Sequence, residues 1–204
     1  MEQINSRVAI QFFQLSDDAR NTPPQFHSHS FSPRLDFAAS SWQFYAIGDV
    51  VAGTPQLAHV ATMEGMVAVA HAAGKAATPI NRNRIPGCTY TEPGIGSVGL
   101  TEAQARAQGH QVKIGKFPFA GNSRASILDS HGGFVKVVAD EKFGEILGVH
   151  IIGPDAFELI AEAVAAMEAE ATVDTLMHTI HAHPTLYEAV GEGFNAVYGL
   201  AINA

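Results

Sequence analysis

The chain holds a single cysteine, Cys88, in 204 residues. One thiol excludes an internal disulfide, a two-cysteine redox pair and a multi-cysteine zinc site. Cys88 lies in Pro86-Gly87-Cys88-Thr89-Tyr90-Thr91, which reads as a short strand where a thiol behaves as a small apolar side chain. Basic residues are scarce too, 12 against 20 acidic ones for a formal charge of -8. That balance argues against a phosphate-backbone partner, and so against nucleic acid. Long apolar runs are missing: Val67-Ala68-Val69-Ala70 falls far short of the ~20 residues a membrane span needs. The first residues show no basic-then-apolar export signal, so a soluble, cytoplasmic protein is expected. What is plentiful is apolar side chain, at 47%, enough for one sizeable core.

Residues 1–40 stand apart. Asn21-Thr22-Pro23-Pro24 and His27-Ser28-His29-Ser30-Phe31-Ser32-Pro33 have no periodicity and read as a poorly ordered extension. From Trp42 the chain becomes regular, with a strand-like Phe44-Tyr45-Ala46-Ile47 ending in Gly48-Asp49. Leu57, Val60, Ala61, Met63, Val67 and Ala70 then follow at near-helical spacing, predicting a long, well-buried helix over 57–73 stopped by Gly74. Beyond a Pro/Arg/Asn-rich link, the remainder alternates strands and helices and reads as one α+β unit. Within it Thr101-Glu102-Ala103-Gln104 has a capping-box pattern, and 112–117 suits a strand. The runs 134–138 and 146–152 predict an antiparallel hairpin. Pro154-Asp155 opens a helix with Phe157, Ile160, Val164 and Met167 on one face. A short helix over 173–180 and a last one from Pro184 towards Ala201, carrying Leu186, Val190, Phe194 and Val197, complete the chain.

Three signals bear on chemistry. Gly94-Ile95-Gly96-Ser97-Val98-Gly99 matches the Gly-x-Gly-x-x-Gly pattern of dinucleotide sites, but Pro93 interrupts the approach and the following strand ends without the acidic residue a ribose needs. His178, His181 and His183 invite a metal reading, yet no carboxylate-rich or second histidine cluster completes a coordination shell, and no metal is expected. His183-Pro184-Thr185-Leu186-Tyr187-Glu188 sets an imidazole beside a carboxylate at a helix start. A neutral imidazole takes protons from thiols or hydroxyls, and a nearby carboxylate fixes its tautomer and stabilises the imidazolium. On spacing alone Glu188 could equally be a first-turn carboxylate favoured by the helix dipole.

Tyr45-Ala46-Ile47-Gly48-Asp49, Leu57-Ala58-His59, Tyr90-Thr91-Glu92-Pro93, Val98-Gly99-Leu100-Thr101-Glu102, Gly148-Val149-His150-Ile151-Ile152-Gly153 and His181-Ala182-His183-Pro184-Thr185-Leu186-Tyr187-Glu188 occur in this order. From about residue 44 onward the chain thereby resembles the C-terminal part of the flavin-dependent pyridine-nucleotide disulfide oxidoreductases, most of all the dihydrolipoyl dehydrogenase branch. The resemblance implies an α+β interface (dimerisation) domain over 85–204, with a mixed or antiparallel sheet and helices packed on it, preceded by a remnant of an α/β FAD domain over 41–80. It implies that His183 is the acid/base and Glu188 its orienting partner, serving the active site of the other subunit of a homodimer or of a full-length relative. It places Asp49 at the ribityl or phosphate region of FAD and Leu57, Ala58 and His59 beside the flavin ring. In such enzymes electrons pass from dihydrolipoamide through FAD to NAD. The FAD fingerprint, the redox cysteine pair and the NAD domain of the family are missing from these residues, and Gly94 stands where the family usually has Glu. The chain is therefore expected to be inactive alone and to bind FAD weakly or not at all. A non-catalytic dimerisation module or truncated gene product is the alternative, and a small metal-dependent hydrolase the third reading.

Overall fold

The computed structural model of the chain describes residues 45–203, so the extension 1–40 and the residue Phe44 lie outside the described residues. The chain divides into two compact units, the first ending at Arg82 and the second running from Asn83.

In the first unit, a turn of 3-10 helix at Gly48–Val50 precedes helix α1, Ala58–Ala72. The expected stop is present: Gly74 has φ +67°, a conformation that glycine adopts without penalty, just beyond the last turn. Two expectations need correction. The segment 45–47 is not a strand, although Ile47 is extended, because a strand needs a partner and none of the described residues of this unit forms one. Nor is α1 well buried. Val60, Val67 and Ala68 are covered, whereas Met63, Met66 and Val69 are 48%, 61% and 54% exposed. The helix is apolar around most of its circumference, and among the described residues Tyr45 and the short turn at Gly48–Val50 cover only part of it.

The second unit is built on a five-stranded, wholly antiparallel sheet in the order β1-β2-β5-β4-β3. Its strands are β1 (Gly87–Thr89), β2 (Gly94–Gly99), β3 (Val112–Pro118), β4 (Phe134–Asp140) and β5 (Ile146–Gly153). Strands β4 and β5 form the expected hairpin, and its turn closes on Asp140, whose carboxylate accepts the amides of Lys142 (3.0 Å) and Phe143 (2.8 Å). Alternation sends Val135, Val137, Val149 and Ile151 to the main core and Val138 to a smaller cluster on the other face; Leu147 joins that cluster because the register shifts beside it, Val138 pairing with Gly148 and Ala139 with Ile146. Helix α2, Glu102–Ala107, contributes Ala105 to that smaller cluster, and the expected capping box on Thr101 and Gln104 is complete.

The main face is covered by α4 (Ala156–Glu168) lying on β2 and β5, and by α6 (Tyr187–Ala196) lying on β3 and β4. The short helices α3 (Ser123–Ile127) and α5 (Val173–Met177) fill the flanks. In α4 the buried row is Ala156, Leu159, Ile160, Ala163 and Met167. Phe157 and Val164, expected on that row, fall at its margin, since a 3.6-residue repeat passes through 156, 159–160, 163 and 167 instead. Leu186, Val190, Phe194 and Val197 are buried as expected. Among the described residues no helix is long and apolar enough to cross a membrane.

Gly94–Gly99 is strand β2 itself rather than a loop feeding a helix. Its glycines have a packing role: a Cβ at Gly96 would lie 2.3 Å from the carbonyl oxygen of Ala156, so α4 rests directly on strand backbone. Gly96→Val is accordingly expected to lower the unfolding free energy by about 3 kcal/mol through overpacking. Urea denaturation checks this, and an unchanged midpoint would refute the direct seating of α4.

Candidate active site

The segment following α5 runs from His178 to Leu186 across the N-terminal end of α6. Its last helix does not begin at Pro184 as expected, but at Tyr187. The reason lies in where the turn's polar groups go. The Thr185 hydroxyl donates to the Ala182 carbonyl at 2.7 Å, and the Thr185 amide donates to Glu188 Oε2 at 2.8 Å. These bonds replace the first helical turn and leave the carboxylate fixed from below.

Glu188 then uses its other oxygen. His183 Nδ1 lies 2.9 Å from Glu188 Oε1, on a ring whose side chain is 67% exposed. With an ionised carboxylate as acceptor, Nδ1 carries the proton and Nε2 the lone pair. The pair thus presents a basic nitrogen on an exposed ring, with the carboxylate ready to stabilise the imidazolium. Burial pushes the Glu188 carboxyl up, but the Thr185 amide, the bond to His183 and the positive charge of His183 and His181 outweigh it, so its pKa is lowered.

The other two histidines go elsewhere. His178 Nδ1 lies 2.7 Å from the Asp174 carbonyl of its own helix. His181 Nε2 lies 2.8 Å from Glu162 Oε1 on α4, with side chains only 12% and 20% exposed. The pKa of His181 is raised, chiefly by the bond to Glu162, with burial opposing and Glu188 and the Thr179 backbone assisting. The imidazoles do not converge, and among the described residues no group of histidine, cysteine and acidic side chains is arranged to hold a metal ion.

Sequence reasoning missed three residues here. Glu162 stands alone in the apolar stretch Ala161-Glu162-Ala163-Val164, which is the one signal that could have marked it. Asn122, 3% exposed, caps α3 by accepting the Ala125 amide (2.9 Å) and donates Nδ2 to the Thr185 carbonyl (3.0 Å). His181 was grouped with a metal reading, whereas it forms a second histidine–carboxylate pair.

In the first unit, Asp49 is exposed in its 3-10 turn, and the neighbouring Gly48 amide donates to Glu64 Oε2 of α1 at 2.6 Å. Leu57, half-buried, is the N-cap of α1, and its carbonyl accepts the amides of Val60 and Ala61; Ala58 and His59 are exposed in the first turn. The four residues lie in or beside the start of the helix whose second turn, through Glu64, holds the Gly48–Val50 turn. Glu64, which makes that link, was not singled out in the sequence.

Residues 85–193 match the family described as the pyridine nucleotide-disulphide oxidoreductase dimerisation domain. Among curated proteins, the chain is 50% identical over 159 residues to a dihydrolipoyl dehydrogenase of Bacillus subtilis, covering 78% of this chain and 33% of that one. It is 43% identical to the mitochondrial dihydrolipoyl dehydrogenase of Pisum sativum, again over 78% of this chain and 31% of the relative. The chain therefore spans about a third of the length of the curated relatives it matches. Among solved structures, LpdA from Mycobacterium tuberculosis superposes with a TM-score of 0.70 at 28% identity, over 78% of this chain and 34% of that chain. The flavoprotein disulfide reductase RclA from Escherichia coli gives 0.69 at 25% identity, over 75% and 35%.

The two pairs predict opposite pH dependences. The raised value of His181 contributes stability that is complete below about 6.5, the unfolded value, and is lost as pH rises through the folded one. The lowered value of Glu188 contributes stability present above about 4.3 and lost as pH falls through the folded value. Urea midpoints across pH should therefore show Glu162→Gln flattening the loss on the alkaline side and Glu188→Gln flattening the loss on the acid side. Profiles parallel to wild type would contradict both assignments.

Proposed function

Because the chain belongs to the pyridine nucleotide-disulphide oxidoreductase dimerisation-domain family, we propose that it serves a dihydrolipoyl dehydrogenase-type reaction as the interface part. In this reading it brings the acid/base pair His183–Glu188 to the active site of a partner subunit and depends on that partner for turnover. One observation carries the reading: the 2.9 Å bond from His183 Nδ1 to Glu188 leaves Nε2 as the base on an exposed ring. The identity to dihydrolipoyl dehydrogenases supports the choice of branch.

A dihydrolipoamide thiol holds too little thiolate at neutral pH to attack a disulfide quickly. Nε2 of His183 takes the thiol proton. The thiolate then attacks one sulfur of the partner's disulfide, the S–S bond breaks, and a mixed disulfide forms with the other sulfur leaving as thiolate. The imidazolium, held by Glu188, is the proton donor for the return direction. Cys88 takes no part: it sits in β1, its thiol is pushed up by burial and by Glu158, and a lone cysteine cannot form the dithiol pair.

In the enzymes this chain resembles, FAD relays electrons from dithiol to NAD. We assign residues 41–80 to the closing part of such a domain. The exposed Asp49 carboxylate suits a hydroxyl-bearing ligand, and the start of α1 at Leu57-Ala58-His59 suits an electron-rich ring edge. No glycine-rich phosphate turn lies among the described residues of this unit, so the fit is partial and affinity for FAD is expected to be weak. The lone thiol suits a reducing, cytoplasmic compartment.

A second reading, a dimerisation module without chemistry, is favoured by exposed apolar side chains around the pair, with Ile180 96% and Tyr187 40% exposed. One experiment separates the two. The purified chain should form no NADH from dihydrolipoamide and NAD. Co-expressed with a full-length dihydrolipoyl dehydrogenase subunit whose own acid/base histidine has been replaced, it should restore turnover, and the His183→Gln chain should restore at least about 100-fold less. Activity of the chain alone, or equal restoration by His183→Gln, would overturn the proposal, and the second outcome would select the module.

A further inference from the structure

The pair His181–Glu162 is not used by the chemistry above, yet it is the better buried of the two histidine–carboxylate pairs. Three observations show how it is built. His181 Nε2 meets Glu162 Oε1 at 2.8 Å, bridging 19 residues of sequence from the loop to α4. Its ring is seated on α6 at Gly191, where a Cβ would lie 2.9 Å from His181 Nδ1 and any side chain would displace the ring. The second carboxylate oxygen, Glu162 Oε2, is buried without a hydrogen-bond partner among the described residues, so the ring is the one group there that compensates this carboxylate.

The consequence reaches the neighbouring pair. Facing His181 are Glu162 from α4, Glu188 from α6 and, two residues along its own loop, His183. Between two carboxylates, the ring is favoured as a cation. We propose that His181 is a positioning residue: joined to Glu162 and seated on Gly191, it pins the loop between α4 and α6 and thereby orients Glu188, so that His183 keeps its proton on Nδ1. On the opposite side Asn122 holds the same loop through the Thr185 carbonyl, so the exposed ring is carried on a segment fastened from both ends. The catalytic meaning of this arrangement rests on the function proposed above; the geometry does not.

The test reads the rings directly. With the chain carrying nitrogen-15 histidine, long-range proton–nitrogen correlation spectra report the tautomer of each imidazole. His183 should be mainly the Nδ1–H tautomer in the wild type. Glu162→Gln and His181→Asn should lower its Nδ1–H to Nε2–H ratio by about threefold, the scale of coupling between neighbouring groups. Glu188→Gln, the direct control, should abolish the preference. A variant with a lowered melting temperature but the wild-type His183 ratio would mean that His181 is merely structural, and would overturn the proposal. Should Glu162→Gln and His181→Asn fail to fold, the wild-type spectrum and Gly191→Ala decide. His181 must stay doubly protonated to a higher pH than a free imidazole does, and Gly191→Ala must lower the His183 ratio; failure of either overturns the proposal. None of these readouts needs turnover, so a chain that passes them but restores no activity would count against the proposed function alone.

Discussion

The arrangement depends on helix backbone resting on strand backbone. Under α4 a Cβ at Gly96 would come within 2.3 Å of the Ala156 carbonyl, and under α6 a Cβ at Gly115 would come within 2.2 Å of the Gly193 carbonyl. With no side chain between the layers at these points, neither helix can slide or rise without losing contact with the sheet. Glu162 and Glu188 are carried on these two helices, and the loop with both imidazoles is suspended between them. Two backbone contacts thus set the distance between the carboxylates, and the carboxylates set the rings.

How much of this was legible follows from the range of each interaction. The hairpin β4–β5, the capping box on Thr101 and the buried row of α6 are governed by neighbours within a few residues, and each was readable from alternation, a four-residue motif or a helical repeat. Gly94–Gly99 matched a loop pattern and is a strand. A strand lying under a helix also selects small residues at alternate positions, and the two causes leave the same letters. The burial of α1 was not readable, since an apolar segment states its preference but not how much protein surrounds it. The proline start assigned to α6 failed because Thr185 and Glu188 satisfy the turn with side-chain bonds instead of helical ones. The partners of Asn122 and Glu162 were unreadable for a plainer reason, even though Glu162 stands out in its apolar stretch. Asn122 acts across 63 residues and Glu162 across 19, and no local spacing records either.

Placing the two pairs side by side shows what environment does to one chemistry. Each is an imidazole nitrogen 2.8–2.9 Å from a carboxylate oxygen. They differ in which nitrogen is used and in exposure, 12% for His181 against 67% for His183. Through Nδ1 to Glu188, His183 leaves the outer nitrogen free; through Nε2 to Glu162, His181 spends it. An acid/base group must meet the proton it moves at hydrogen-bond range, and of the two rings the 67% exposed one is the more accessible. The less exposed ring serves instead to tie its loop to α4.

That division also explains why a single carboxylate serves both the fold and the site. Glu188 Oε2 accepts the Thr185 amide, which closes the turn, and Oε1 accepts the imidazole proton, which sets the tautomer. Were the carboxylate free to rotate, the ring would share its proton between the two nitrogens, and the outer one would be a base only part of the time. The amide bond removes that freedom at the cost of ordering one turn that packing against the sheet already orders. The orientation of His183 is therefore set from inside the fold, by a backbone amide that holds the carboxylate its Nδ1 meets, while the ring itself stays exposed.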